Sequence, residues 1–223
     1  MSLFVTGTDT GIGKTVVAAL ILARYGRETP LVYWKPIATG ARDGRDRERV
    51  AELVPRATTA AEAYLFADPV SPHLAAAREG LPIEIARIVG RYAELAVAHP
   101  EHRFVVEGVG GLLVPLDDAG TMMVDLVAAL ALPVLLVARS SLGTINHALL
   151  SLAELRRRAL PVAGVVMVGP ADADHRAAIE RLGGVEVIAE VPRLESVDPS
   201  SIAEAARDFD PGGELQAWLV PPS

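Results

Sequence analysis

Short apolar runs recur along the chain, separated by amphipathic or polar stretches. "SLFVTG", "PLVYWKP", "RFVVEG", "PVLLVA", "PVAGVVMVG" and "VEVIAEVP" are brief, rich in Val, Leu and Ile, and apolar on both faces. Strands with this pattern are covered on both sides, as parallel strands are. Helical spacing lies between them. Residues 14–24 are apolar all round and predict a largely buried helix. Residues 46–54 set Val50, Leu53 and Val54 on one stripe, with Asp46 as the expected N-cap. Residues 84–98, 144–159 and 172–182 are further amphipathic candidates, the second with a core stripe of Ile145, Leu149 and Leu152. The alternation predicts an α/β fold: three layers, a doubly wound and mainly parallel sheet, helices on both faces. No linker or repeat divides the chain, so residues 1–223 are expected to form one domain. The tail from Asp208 is rich in Pro and Gly and predicts no element.

Composition narrows the function classes. The chain is 51% hydrophobic, 22% charged and carries a net charge of −7. That balance suits a globular domain and argues against a general nucleic-acid binder, whose phosphate contacts need a basic surface. Cysteine is absent, which excludes disulfides, thiolate nucleophiles and cysteine metal sites. The N-terminus has no signal-like core, and the longest apolar run, 126–138, is broken by Pro133. A soluble, cytoplasmic protein without membrane partners is expected. Of 21 basic residues only Lys14 and Lys35 are lysines. Arginine elsewhere implies that these two places need a compact ammonium on a flexible stem.

Lys14 lies in "FVTGTDTGIGKT", which follows an expected strand and opens an expected helix. This is the context of a phosphate-binding loop, although Gly7 and Gly13 stand one residue further apart than in G-x-x-x-x-G-K-[ST]. Gly7, Gly11 and Gly13 would permit positive φ and close approach of N–H groups to phosphate. Lys14 could reach outer phosphates, and the Thr15 hydroxyl could ligate magnesium. "KPIATG" places Lys35 and Thr39 at the carboxyl end of a strand, where open α/β sheets bind ligands. "FVVEGVGG" ends a strand on Glu107, a carboxylate ahead of glycines and a second candidate metal ligand. "SSLGTINHALL" begins a helix with free N–H groups suited to an anion. "ARDGRDRERV" is a charged, solvated stretch leading into a helix. The five histidines form no metal-binding pattern, "HPEH" is expected in a surface turn, and no GxSxG elbow is present.

Together "VTGTDTGIGKT", "YWKPIATG", "PVSPHLAAAREG", "VEGVGGLLVPL" and "LGTINHALLSL" resemble, in order, the motifs of the dethiobiotin synthetase family of P-loop NTPases. The likeness covers about residues 4–152; the last third is similar only loosely. The resemblance implies ATP- and magnesium-dependent closure of a ureido ring on 7,8-diaminononanoate with carbon dioxide, giving dethiobiotin, ADP and phosphate. It implies catalytic roles for Lys14, Lys35 and Thr10. It assigns nucleotide to Gly11, Ile12, Gly13, Lys14, Thr15 and Val16, and to Gly169, Pro192 and Leu194. It assigns substrate to Thr10, Lys35, Thr39, Gly110 and Gly111, and to Gly143, Thr144 and Asn146 from the neighbouring subunit of a homodimer. Thr15, Asp46 and Glu107 would hold the metal, with Asp43 as the alternative to Asp46. Many members carry glutamate where this chain has Gly11, and an adenine-reading asparagine where it has Gly169. Relaxed nucleotide preference is therefore expected. The competing readings are a switch ATPase of the partitioning class, whose loop usually carries a signature lysine where Asp9 stands, and an ATP-dependent amidating ligase.

Overall fold

The computed structural model describes residues 1–220, apart from the side chain of Asp43. Among the described residues, nine strands and nine α-helices follow in the order β1 (Leu3–Gly7), α1 (Lys14–Tyr25), β2 (Leu31–Trp34), β3 (Ile37–Ala38), α2 (Asp46–Leu53), β4 (Thr58–Ala60), β5 (Tyr64–Leu65), α3 (Pro72–Glu79), α4 (Ile85–Ala98), β6 (Arg103–Gly111), α5 (Met123–Leu130), β7 (Val134–Arg139), α6 (Thr144–Arg157), β8 (Val162–Val168), α7 (Ala173–Gly183), β9 (Val187–Val191), α8 (Pro199–Ala205) and α9 (Gln216–Leu219). Seven strands form one parallel sheet in the order β4-β2-β6-β1-β7-β8-β9. β3 and β5 form a separate parallel pair.

The central strands are mostly apolar, yet their alternation still sorts side chains between layers. Leu3, Val5, Tyr33, Val105, Leu135 and Val137 join α1, α2, α8 and the C-terminal segment on one face. Phe4, Val32, Trp34, Phe104 and Val106 face α3, α4 and α5. Leu136, Ala138, Val165 and Met167 face α6 and α7. Helices thus cover both faces of the doubly wound parallel sheet that the alternation predicts.

Several local expectations shift. Arg45, not Asp46, is the N-cap of α2; Asp46 is its first helical residue, and its side chain turns inward. The core stripe of α6 runs through Thr144, Ala148, Leu152 and Leu155, with Ile145 and Leu149 half-buried at its margin. α3 and α5 form where no helix is predicted, and β4 adds an edge strand too short to show a period. "HPEH" is a turn, with the rings of His99 and His102 edge to face.

The tail is an anchor rather than a loose end. Phe209, Leu215 and Leu219 are buried with α1. Asp210 is fully buried and accepts from the Tyr25 hydroxyl and from the N–H groups of Glu214 and Leu215. Burial first, and then the Asp210 carboxylate, raise the Tyr25 phenol well above its usual value. Asp210→Ala would strand two buried donors and a partly buried one. It is expected to cost about 2–4 kcal/mol of stability, measured as a lower urea midpoint at unchanged slope. An unchanged midpoint would mean that the tail contributes no stability through this contact.

Candidate functional site

All seven strands of a parallel sheet present their carboxyl ends at the same edge, and the polar loops collect there. Between β1 and α1, Gly11 (φ 68°) and Gly13 (φ 98°) take the left-handed conformation, and Gly13 is the N-cap of α1 with no side-chain cap. The first N–H groups of the helix are therefore left to a ligand. Gly7 does not have positive φ; its constraint is space. A Cβ there would lie 2.6 Å from the Ile12 side chain, which is buried and folds back over the loop. Val16 is half-buried on the first turn of α1.

Lys14 is 6% exposed and donates to the Asp9 carbonyl at 2.8 Å, so the ammonium arches over its own loop. The Asp9 carboxylate accepts from Thr10 N–H at 2.7 Å and from Arg139 at 3.0 Å, tying the loop to the end of β7. Sequence reasoning missed this tie.

Lys35 follows β2 and is 7% exposed. Its Nζ lies 2.5 Å from Asp46 Oδ2 and 2.9 Å from Glu107 Oε1. Thr15 Oγ1 lies 3.0 Å from both Asp46 Oδ1 and Glu107 Oε1, with its one proton to share between them. Tyr33 donates to Glu107 Oε2 at 2.9 Å. Four elements thus deliver one cluster: α1 brings Thr15, β2 Lys35, α2 Asp46 and β6 Glu107. Tyr33 was predicted only as part of an apolar strand; nothing in its local pattern marks the hydroxyl.

Burial works against the Lys35 charge, but Glu107 and Asp46 outweigh it, and its pKa is raised. Burial likewise works against the Asp46 charge, and Lys35 reverses the sign and lowers its pKa. Lys14 has no directly bonded carboxylate. Burial lowers its pKa; the nearby Lys35 charge adds to this, while Glu107 works against it. Burial and Glu107 keep the Tyr33 phenol protonated.

Thr15, Asp46 and Glu107 offer one hydroxyl and two carboxylates. Among the described residues no three His, Cys, Asp or Glu side chains group as a metal cage. The set nevertheless fits magnesium, which takes few protein oxygens and fills the rest of its shell with water and phosphate. A cationic ammonium already bridges the same two carboxylates, so the pocket's electrostatics favour positive charge. The Asp43 side chain lies outside the described residues.

The glycines after Glu107 pack against the loop. Gly110 has φ 65° and a Cβ position 3.5 Å from Thr10 Oγ1, and the Cβ position of Gly111 lies 3.2 Å from the Gly7 carbonyl. A cleft of about 420 Å³ runs alongside, lined by Thr8, Asp9 and Thr10, by Gly111 to Val114, and by His147 and Leu150 of α6. Thr39 is half-buried just beyond β3. Gly143 (φ 93°) caps α6, Thr144 is buried with its hydroxyl unpartnered, and Asn146 is exposed. None of these three lines the cleft at Thr10. Gly169 (φ 139°) ends β8 with its N–H on the Val191 carbonyl, and a Cβ would sit 3.0 Å from the Ser140 carbonyl. The left-handed backbone and the close Ser140 carbonyl both disfavour a side chain there. Pro192 and Leu194 follow β9 at the same edge.

A parallel sheet, a glycine loop opening a helix, and a lysine–threonine pair at that helix's first turn define a nucleotide-binding protein of the P-loop class. Solved relatives agree on the fold: a ParA-family ATPase from Chlorobium tepidum (TM-score 0.57, 14% identity, 97% of this chain and 96% of that one) and the MinC:MinD cell division complex of Aquifex aeolicus (TM-score 0.59, 14% identity, 100% and 98%). Sequence comparison is more specific. A family model described as an AAA domain matches residues 1–201. The ATP-dependent dethiobiotin synthetase of Paramagnetospirillum magneticum is 46% identical, over 90% of this chain and 92% of that protein. That of Agrobacterium fabrum is 40% identical, over 90% of each. The chain belongs to the ATP-dependent dethiobiotin synthetase family, a family of ATP-dependent ligases. Fold similarity to the partitioning ATPases is thus not matched by closeness in sequence.

With two lysines in the chain, selective ¹³C labelling of the lysine ε-carbon should give two resonances. One is expected to titrate below the ordinary lysine value (Lys14) and one above it (Lys35), assigned with Lys14→Ala. Two coincident, ordinary titrations would refute the electrostatic picture. The linkage follows in sign. The stabilisation from Lys35 is fully present below the unfolded lysine pKa and is lost as pH rises through the folded value. Lys14 costs stability at neutral pH and is relieved as pH rises past its lowered value.

Proposed function

We propose that the chain performs the magnesium- and ATP-dependent ring closure of 7,8-diaminononanoate with carbon dioxide, forming dethiobiotin, ADP and phosphate in the cytoplasm. The observation that carries this reading is the cluster of Lys35, Asp46, Glu107 and Thr15 beside the phosphate loop, in a chain 40–46% identical to proteins named for that synthesis.

One substrate amine captures carbon dioxide as a carbamate. A carbamate oxygen then attacks the γ-phosphate, forming a mixed anhydride and releasing ADP. The second amine attacks the carbamate carbon, and phosphate leaves as the ring closes. Such steps need positioning and charge neutralisation rather than a protein nucleophile. The N–H groups from Gly11 to Val16 cradle the phosphates. Lys14 exchanges the Asp9 carbonyl for phosphate oxygens. Lys35 leaves its carboxylates to contact the γ-phosphate and carbamate, with Thr10 and Thr39 holding the reacting groups. Thr15, Asp46 and Glu107 would hold a magnesium ion, which when bound would supply charge neutralisation at the phosphates. The bare backbone at Gly110 and Gly111 leaves room for the diamine against the loop.

Because Gly169 offers no side chain, the base is read by backbone near Pro192 and Leu194. A phosphate-release assay tests the whole reading. Release should require diaminononanoate and bicarbonate together, and should proceed with GTP or CTP within about tenfold of ATP. Lys35→Ala should lose about a hundredfold or more in turnover while still binding ADP. Phosphate release independent of diaminononanoate would overturn the synthetase reading. Near-normal turnover of Lys35→Ala would overturn the role of that lysine.

The functional unit proposed is a homodimer of one-domain subunits. Leu142 (98% exposed), Leu113 and Leu150 form exposed apolar surface beside the cleft. The uncapped start of α6, with the unpartnered Thr144 hydroxyl, suits a substrate carboxylate bound across the interface by Gly143, Thr144 and Asn146. Lys35→Ala and Asn146→Ala dimers, each impaired, should regain roughly a quarter of wild-type activity after mixing and exchange, the statistical share of intact shared sites. No recovery, in subunits shown to have exchanged, would place each site within one chain.

A further inference from the structure

At the opposite end of the sheet from the phosphate loop is a cleft of about 960 Å³. It lies between the end of α1, the segment ahead of β2, the end of α2, His102 ahead of β6, and one face of α8. Its floor is apolar, from Leu22, Leu53, Ile202 and Ala206. Its rim carries Arg24, Arg27, Arg56 and Arg207 against one carboxylate, Glu28.

Four arginines without ion pairs meet on this rim. Ten of the nineteen arginines have ion-pair partners among the described residues, and four of the nine that have none lie here. They gather in one place in a chain of net charge −7. Arg24 stands on the last turn of α1, where a cation meets the carbonyl end of a helix. Arg27, Arg56 and Arg207 lie beyond the last turns of their helices.

A second observation is independent of charge. Arg24 Nε, Thr29 Oγ1 and His102 Nδ1 are buried without a hydrogen-bond partner. Arg24 and His102 line the cleft, and Thr29 sits between two residues that do. Buried polar atoms left unpaired are costly, so polar groups at this end of the sheet are under-satisfied behind the cleft wall.

We propose that this cleft is a binding site for a small organic polyanion, with an apolar body on the Leu22–Ile202 floor and two or more acidic groups on the arginine rim. Its volume lies in the range of small-molecule pockets. It is separate from the phosphate loop by the full length of the sheet. It also touches the far ends of α1, β2, α2 and β6, the elements that bring Thr15, Lys35, Asp46 and Glu107 together.

The test is isothermal titration of the full chain with naphthalenetrisulfonate, a rigid trianion with an apolar body, at low salt and with saturating magnesium ADP present. One site per chain is expected, weakened by added salt. Arg27→Glu/Arg56→Glu and, separately, Arg207→Glu should each weaken binding at least about tenfold. These side chains are exposed, and thermal melts would verify folding; the milder Arg27→Ala/Arg56→Ala pair serves if the reversal does not fold. Absence of binding to the wild type would overturn the proposal. So would equal affinity in the variants, or binding that is seen only when ADP is left out.

Discussion

A lysine ammonium with almost none of its surface in water survives only against negative charge. Lys35 meets that condition through Glu107 and Asp46, and the rest of the molecule is arranged to bring the three together. Glu107 comes from a central strand with Tyr33 and Thr15 fixing its oxygens. Asp46 comes from a helix whose first residue turns inward instead of capping. Removing either carboxylate would leave a buried cation short of counter-charge, so the fold and the site are stabilised by the same contact. The arrangement is balanced: each ion in it is held by an opposite charge.

The phosphate loop follows the same logic on a smaller scale. Lys14 is held by a neutral carbonyl, not by a carboxylate, so its charge is under-compensated and its pKa falls. An arriving anion therefore meets one ammonium already satisfied and one that is not. The contrast between the two lysines comes from their partners, not from depth, since both are nearly buried.

Those parts of the fold governed by local pattern were legible. Six of the seven strands of the main sheet are continuous apolar runs, and burial on both faces leaves no other composition open to them. β4 could not be read because Thr58–Ala60 is short, half-buried and mixed. α5 was hidden because its apolar residues run on through Pro133 into β7. In the site, Lys14, Thr15 and Glu107 stand in motifs where strand, turn and helix are contiguous. Asp46 lies in a charged stretch whose register only the tertiary contact resolves. Tyr33 and the Asp9–Arg139 pair depend on partners 74 and 130 residues away, and no local signal encodes such a distance. The structure adds to Gly169 what the sequence could not: its backbone has positive φ and lies close to Ser140, a conformation that favours glycine.

The near-exclusive use of arginine has a practical corollary. Apart from the N-terminus, every primary amine of this chain lies at the phosphate loop or in the carboxylate cluster. Acylating reagents, aldehyde fixatives and amine-coupled surfaces, which on most proteins react at scattered lysines, would here find, besides the exposed N-terminus, only the edge that carries the phosphate loop. The extent of such modification would report how open that edge is at a given moment, and a bound nucleotide would act as its shield.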